Sequence, residues 1–198
     1  MSEHYYTQNP TSLSNEREFN LSFMDAEYRF IYDNGVFSKG ELDEGTALML
    51  EAIDEVHGEV LDLGCGWGAV GTILGKRFED ARITMSDINE RALDLSRKNL
   101  AMNGVKNARV VFSDGFDKIE GTFDFIITNP PIRAGKQVIY SMFDEAIKRL
   151  NTNGKLILVI RKQQGALSAL KHLEYANARI ISKYKGFMVI CAGGNENE

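Results

Sequence analysis

Three groups of residues in this chain could do chemistry together. The first is the stretch TNPPIRAG, where Asn129, Pro130, Pro131 and Ile132 stand in a row and use two of the chain's three prolines. Proline fixes φ and removes a backbone donor, so the segment is stiff. The Asn129 side chain offers one acceptor and two donors, so polar groups are held still there. The second is the loop DLGCGWGAVG, with Gly64, Gly66 and Gly68 spaced so that backbone can approach a ligand closely and a helix N-terminus can follow. Its GWGAVG also satisfies the GxGxxG dinucleotide pattern. The third is a set of acids. Asp62 lies two residues before the first glycine, Asp87 lies 19 residues past Gly68, and Asp114 follows the next apolar run. A carboxylate at Asp87 could accept both hydroxyls of a ribose. Asp114 falls where an adenine would lie. Asp62 could hold the loop or meet an ammonium group.

These groups must be brought together by the elements that precede them. FNLSF and EYRFIYD alternate apolar and polar residues around MDA and predict a hairpin. LDEGTALMLEAIDEV has apolar residues at helical spacing. From there strands alternate with helices. EVLDLG is followed by a helix from about Ala69 to Phe78, ARITMSD by a helix over NERALDLSRKNLAMNG, and ARVVFSD by FDFIITN, which runs into the prolines. A helix over IYSMFDEAIKRLNTNG, the strand KLILVI, a helix over QQGALSALKHLEY and a closing antiparallel pair, ARIISKY and FMVICAG, complete the chain. Such alternation predicts right-handed crossovers and a mostly parallel sheet. Ligands on these sheets sit beyond the carboxyl ends of the strands. Each candidate acid, and Asn129, falls at such an end.

Composition bounds the rest. At 198 residues, 43% hydrophobic and 26% charged, one globular domain is the default. No apolar run approaches the ~20 residues of a membrane span, and the polar N-terminus lacks a signal-peptide core, so a cytoplasmic protein is expected. Cys65 and Cys191 have no CxxC spacing, which argues against a zinc site or a disulfide framework. The net charge of -5 hides an asymmetry: residues 1–130 carry 12 basic and 23 acidic side chains, and residues 131–198 carry 11 and 5. The positive part begins at the proline pair.

In combination these motifs resemble those of the class I S-adenosylmethionine-dependent methyltransferases over about residues 40–191. DLGCGWG matches that family's E/D-x-G-x-G-x-G motif, Asp87 its ribose-binding acid, Asp114 its adenine-contacting acid, and TNPPI its motif at the end of strand four. The resemblance implies a Rossmann-like α/β fold. Its seven-stranded, mostly parallel sheet would have an antiparallel last strand and follow an N-terminal extension (1–40) bearing the hairpin; the methyltransferase domain would be 41–198. It implies that S-adenosyl-L-methionine is held by Asp62, Gly64, Cys65, Gly66, Gly68, Asp87, Ile88, Asp114, Gly115 and Asn129, with no metal. In this family an Asn-Pro-Pro stretch marks enzymes that methylate a planar nitrogen. Such a nitrogen is a poor nucleophile because its lone pair is delocalised. The Asn129 oxygen and the Pro130 carbonyl would accept its two hydrogens and draw it toward tetrahedral geometry, with Pro131 and Ile132 completing the catalytic loop.

Adenine-N6 and glutamine enzymes of this type usually carry an aromatic residue where this chain has Ile132. The longer string NPPIRAGK, with GVFSKGELDEGT upstream, resembles the ribosomal RNA guanine-N2 methyltransferases of the RsmC-like group. Longer members of that group carry an additional amino-terminal methyltransferase-like half, and this chain resembles a stand-alone member. The expected partner is ribosomal RNA or the small ribosomal subunit, its target base splayed out to reach the site. Phe37, Arg133 and Lys136 are the expected RNA contacts, with Lys162, Lys183 and Lys185 further along. Trp67 either covers the cofactor or packs in the core, and His57 is given no catalytic part. Adenine N6 or a protein glutamine is the alternative acceptor. An NAD-dependent oxidoreductase would rest on GxGxxG alone. A non-catalytic RNA-binding module would leave the glycines, the acids and Asn129 without a task.

Overall fold

A computed structural model describes residues 14–34, 36 and 40–194. Its centre is a seven-stranded sheet. Strands β3 (Glu59–Leu63), β4 (Arg82–Asp87), β5 (Ala108–Phe112), β6 (Phe123–Thr128) and β7 (Leu150–Arg161) run parallel to one another. The sequence-final strand β9 (Phe187–Gly193) is antiparallel both to β7 and to β8 (Arg179–Tyr184). The order is β5-β4-β3-β6-β7-β9-β8, so the chain reverses direction across the sheet between β3 and β6. That switch point is where an open α/β sheet leaves a crevice for a ligand.

Alternation along the strands builds a core on each face, because successive side chains point to opposite sides. Val60, Phe125, Ile127, Ile157, Val159 and Val189 face one core, which α1 (Glu44–Glu51), α2 (Ala69–Arg77) and α3 (Glu90–Met102) cover. Leu61, Leu63, Ile126, Leu156, Leu158 and Ile190 face the other, closed by α4 (Lys136–Lys148) and α5 (Ala166–His172). With apolar residues needed on both faces, the central strands read as continuous hydrophobic runs.

The predicted hairpin is present as β1 (Arg17–Phe23) and β2 (Ala26–Tyr32). It lies against α3, and two asparagines one helical turn apart hold its edge. Asn99 accepts the Ile31 amide at 2.7 Å and donates to the Ile31 carbonyl at 2.9 Å. Asn103 does the same for Arg29, at 3.0 and 2.7 Å. Residues i and i+4 share a helix face, and Arg29 and Ile31 are alternate residues of one strand edge. The pair therefore stands in for a neighbouring strand.

Two elements differ from expectation. Helix α4 begins at Lys136, straight after a 3-10 turn at Ile132–Ala134, rather than at Ile139. The segment Leu150–Gly154, expected as the end of that helix, belongs to β7. Leu150 pairs with Phe123 ahead of a register shift, and Asn153 takes φ 63°, so the polar NTNG is an irregularity within a strand. Among the described residues no helix is long and apolar enough to cross a membrane.

Candidate active site

Four strand ends meet at the crevice and are tied to one another. The Ser86 carbonyl at the end of β4 accepts the amides of Gly64 and Cys65, at 2.8 and 2.9 Å. The Thr128 hydroxyl at the end of β6 donates to the Leu63 carbonyl at 2.8 Å, which fixes Asn129 relative to the glycine loop. The Ser113 amide donates to the Asp87 carbonyl at 3.1 Å and draws in the tip of β5.

The three glycines do different things. Gly64 and Gly66 have φ of 76° and 56°, and a Cβ on either would meet nothing within 4 Å. Their bare faces open on the crevice. Gly68, at φ 90°, is hemmed in instead, since a Cβ there would lie 2.8 Å from Ser96 Oγ and 2.9 Å from Met85 Cε. Its role is close packing of α2 on the sheet and α3. The Cys65 side chain turns inward, with its sulfur 3.5 Å from Ser96 Oγ, so only its backbone faces the loop. Trp67 is buried against Phe19 and Phe30 of the hairpin, with ring centroids 5.7 and 4.7 Å apart. Its part is core packing. From α3, Ser96 donates to the Gly66 carbonyl at 2.9 Å and Asn99 to the Trp67 carbonyl at 2.7 Å, so the loop is braced from behind.

The two central acids, Asp62 buried and Asp87 half-buried, are structural ties that retain accepting capacity. Asp62 Oδ2 accepts the Gly71 amide of α2 at 2.9 Å. Asp87 accepts the Gly66 amide at 2.9 Å on one oxygen and the Asn89 amide at 2.9 Å on the other. An ionised carboxylate has about four lone-pair sites, so Asp87 can still accept hydroxyls. Burial pushes the Asp62 carboxyl up to about 7, and the Asp87 charge adds to the effect. Asp87 is itself raised, chiefly by burial. Two desolvated acids beside an open backbone cradle favour a cationic ligand. Ile88 is half-buried next to Asp87, Asp114 is exposed past β5, and Gly115 takes φ 51° beside it.

Asn129 stands on the far side of the glycine loop. Its Nδ2 donates to Thr46 Oγ1 at 3.0 Å and to Asp43 Oδ2 at 3.2 Å, both at the start of α1. Among the described residues its oxygen has no hydrogen-bond partner and is left as an acceptor. Neither Asp43 nor Thr46 is among the sequence-predicted site residues, although Asp43 ahead of a helical pattern is an N-cap signal. Pro130 is buried, Pro131 is partly so, and Ile132 packs against the second core. Ile132 also lines a cavity of about 240 Å³ with Lys136, Tyr140, Gln164 and Ser168. Arg133 and Lys136 are exposed, and Lys136 Nζ lies 5.2 Å from the Tyr140 ring centroid. Lys185 is engaged by Glu44 at 2.8 Å. Phe37 lies outside the described residues. His57 packs edge-on against Phe125 at 5.2 Å. Among the described residues no cluster of three or more His, Cys, Asp or Glu could hold a metal.

Comparison with known proteins gives this geometry a family. The model of the methyltransferase small domain matches residues 27–191. The uncharacterised protein YbxB of Bacillus subtilis (strain 168) is 41% identical over 97% of this chain and 98% of its own length. Ribosomal RNA small subunit methyltransferase C of Haemophilus influenzae (strain PittEE) is 46% identical over 63% of this chain, a match that spans 39% of that protein. Among solved structures, the 16S rRNA N2 G1207 methyltransferase (RsmC) of T. thermophilus, in complex with AdoMet and guanosine, superposes with a TM-score of 0.81 at 29% identity. It covers 94% of this chain and 52% of that one. The chain belongs to the methyltransferase small domain family, and its class I fold is that of the S-adenosylmethionine-dependent methyltransferases.

Proposed function

We propose that this protein transfers a methyl group from S-adenosylmethionine to the exocyclic N2 amine of a guanine in small-subunit ribosomal RNA. The observation that carries the reading is the state of Asn129. Both its donors are directed at α1, and its side-chain oxygen is left to accept at the rim of the glycine loop. The similarity to a guanine-N2 methyltransferase solved with guanosine supports guanine as the base. Ile132, in place of an aromatic residue, agrees with a base other than the adenine of the N6 enzymes.

When bound, S-adenosylmethionine supplies a methyl group already activated by the positive sulfonium. The residues suited to hold it are Gly64 and Gly66 through their open backbone, Asp87 through its remaining lone pairs, and Asp114, Gly115 and Ile88 around the adenine. Asp62 secures the start of α2 from beneath. The Asn129 oxygen and the Pro130 carbonyl accept the two hydrogens of the target amine. They hold the nitrogen with its lone pair facing the crevice, and the prolines keep both acceptors in place. Fixed acceptors that gain strength as positive charge develops on the nitrogen favour the transition state over the ground state. Arg133 and Lys136, on the rim, meet RNA phosphates.

Replacing Asn129 with alanine tests the assignment. Methyl transfer should fall by about 100-fold or more, the scale on which removing one fixed polar group acts. The dissociation constant for S-adenosylhomocysteine, measured by calorimetry, should stay near wild type. Normal transfer by the variant would remove Asn129 from the reaction.

A further inference from the structure

The tetrapeptide Asp43-Glu44-Gly45-Thr46 makes a contact with the active-site rim at every position. Asp43 is the N-cap of α1, its Oδ2 accepting the Thr46 amide at 3.0 Å. The same oxygen accepts the Thr46 hydroxyl at 3.3 Å and Asn129 Nδ2 at 3.2 Å. Glu44 pairs with Lys185 at 2.8 Å and lies 4.0 Å from Arg161, at the mouths of β9 and β7. Gly45 has no room for a side chain, since a Cβ would fall 2.7 Å from the Phe187 ring. Thr46, itself buried, gives Asn129 its second acceptor at 3.0 Å. The start of α1 is thereby clamped to β9 and β7 on one side and to the catalytic loop on the other.

We infer that Asp43 and Thr46 are positioning residues that fix the rotamer of the Asn129 amide. Asp43 Oδ2 accepts from the Thr46 amide and hydroxyl, and a carboxylate oxygen has no hydrogen to give an amide oxygen. The Asn129 amide must therefore turn its NH2 toward α1 and its oxygen away from it. The Thr46 hydroxyl, by donating to Asp43, is left to accept from Asn129 in turn. Without this pair the amide is free to flip by 180°, because its two ends have nearly the same shape. A flipped amide would present donors to the donors of the target amine. The inference rests on the reading of Asn129 as the group that holds that amine. It adds that Asn129 works only while α1 holds it one way round.

Three variants separate positioning from stability. Thr46→Val keeps the shape and removes the hydroxyl, Thr46→Ser restores the hydroxyl, and Asp43→Ser keeps a good N-cap on a side chain too short to reach Asn129. The Asn129 Nδ2 protons, identified by their loss in Asn129→Ala, are followed by NMR hydrogen exchange, which needs no substrate. They should be protected in wild type and Thr46→Ser and unprotected in Thr46→Val and Asp43→Ser. With small ribosomal subunits as acceptor, the last two variants should lose kcat by about 10- to 100-fold, the cost of a small misplacement. Their RNA KM, cofactor affinity and thermal midpoint should stay near wild type. Unchanged exchange and kcat in Thr46→Val, with Asn129→Ala inactive, would overturn the inference and leave the function standing. Joint loss of cofactor binding and thermal stability would also overturn it, by making the contact a structural one. Full activity in Asn129→Ala would instead remove the functional reading on which it rests.

Discussion

Asp62 is a single residue whose burial has a measurable consequence. Its carboxyl titrates at about 7 in the folded protein, against about 3.9 in an unfolded chain. Between these values the native state holds a proton that the unfolded state has lost. Its contribution to stability is therefore complete below about pH 4 and is lost as pH rises through 7. Asp87, raised for the same reason, adds with the same sign. In Asp62→Asn the side chain stays neutral and can still accept the Gly71 amide. Urea unfolding of the cofactor-free protein at pH 5 and pH 8 should show wild type losing more stability than the variant. The difference should be on the order of 2 kcal/mol, at roughly 1.4 kcal/mol per pKa unit. Parallel profiles would mean that Asp62 ionises normally. Residues of this kind were legible in the sequence because acids ending apolar runs are conspicuous. The partners of Asn129 were not, since Asp43 lies 86 positions away and Thr46 lies 83, and no local pattern reports a contact across that span.

At the scale of elements, the β-α alternation, the closing antiparallel pair and the hairpin could all be read from apolar periodicity. The polar NTNG within β7 could not, because it has the turn chemistry of a helix stop, and only the flanking pairs, Leu150 with Phe123 and Lys155 with Phe125, carry the strand across it. The hairpin's attachment was also hidden, since Asn99 and Asn103 look like ordinary polar positions of a helix. Asn99 is fully buried and serves Ile31 twice and Trp67 once. Its replacement by alanine leaves these backbone groups without partners, each at a cost of roughly 1–3 kcal/mol. Denaturant unfolding should show a loss of about 3 kcal/mol, and amide exchange should quicken along β2 first. Exchange that quickened evenly across the sheet would place the cost elsewhere.

At the scale of the whole molecule, the proposed function calls on only part of the basic portion. Lys185 and Arg161, from the basic portion, are engaged by Glu44 from the acidic one. Arg133 and Lys136 stay exposed beside the Asn-Pro-Pro stretch. RNA affinity should therefore fall steeply with salt, and removing Arg133 or Lys136 should lower the slope of log K against log salt by about 1 each. Lys185→Ala should change it less. Equal effects at the three positions would mean that the rim has no privileged role in holding RNA.

The acceptor atom can be read directly by one labelling experiment. The protein is incubated with tritium-labelled S-adenosylmethionine and small ribosomal subunits from cells lacking it, and the RNA is digested to nucleosides. The expected label is in N2-methylguanosine. Label in N6-methyladenosine, or none in RNA from a protein that binds the cofactor, would contradict it.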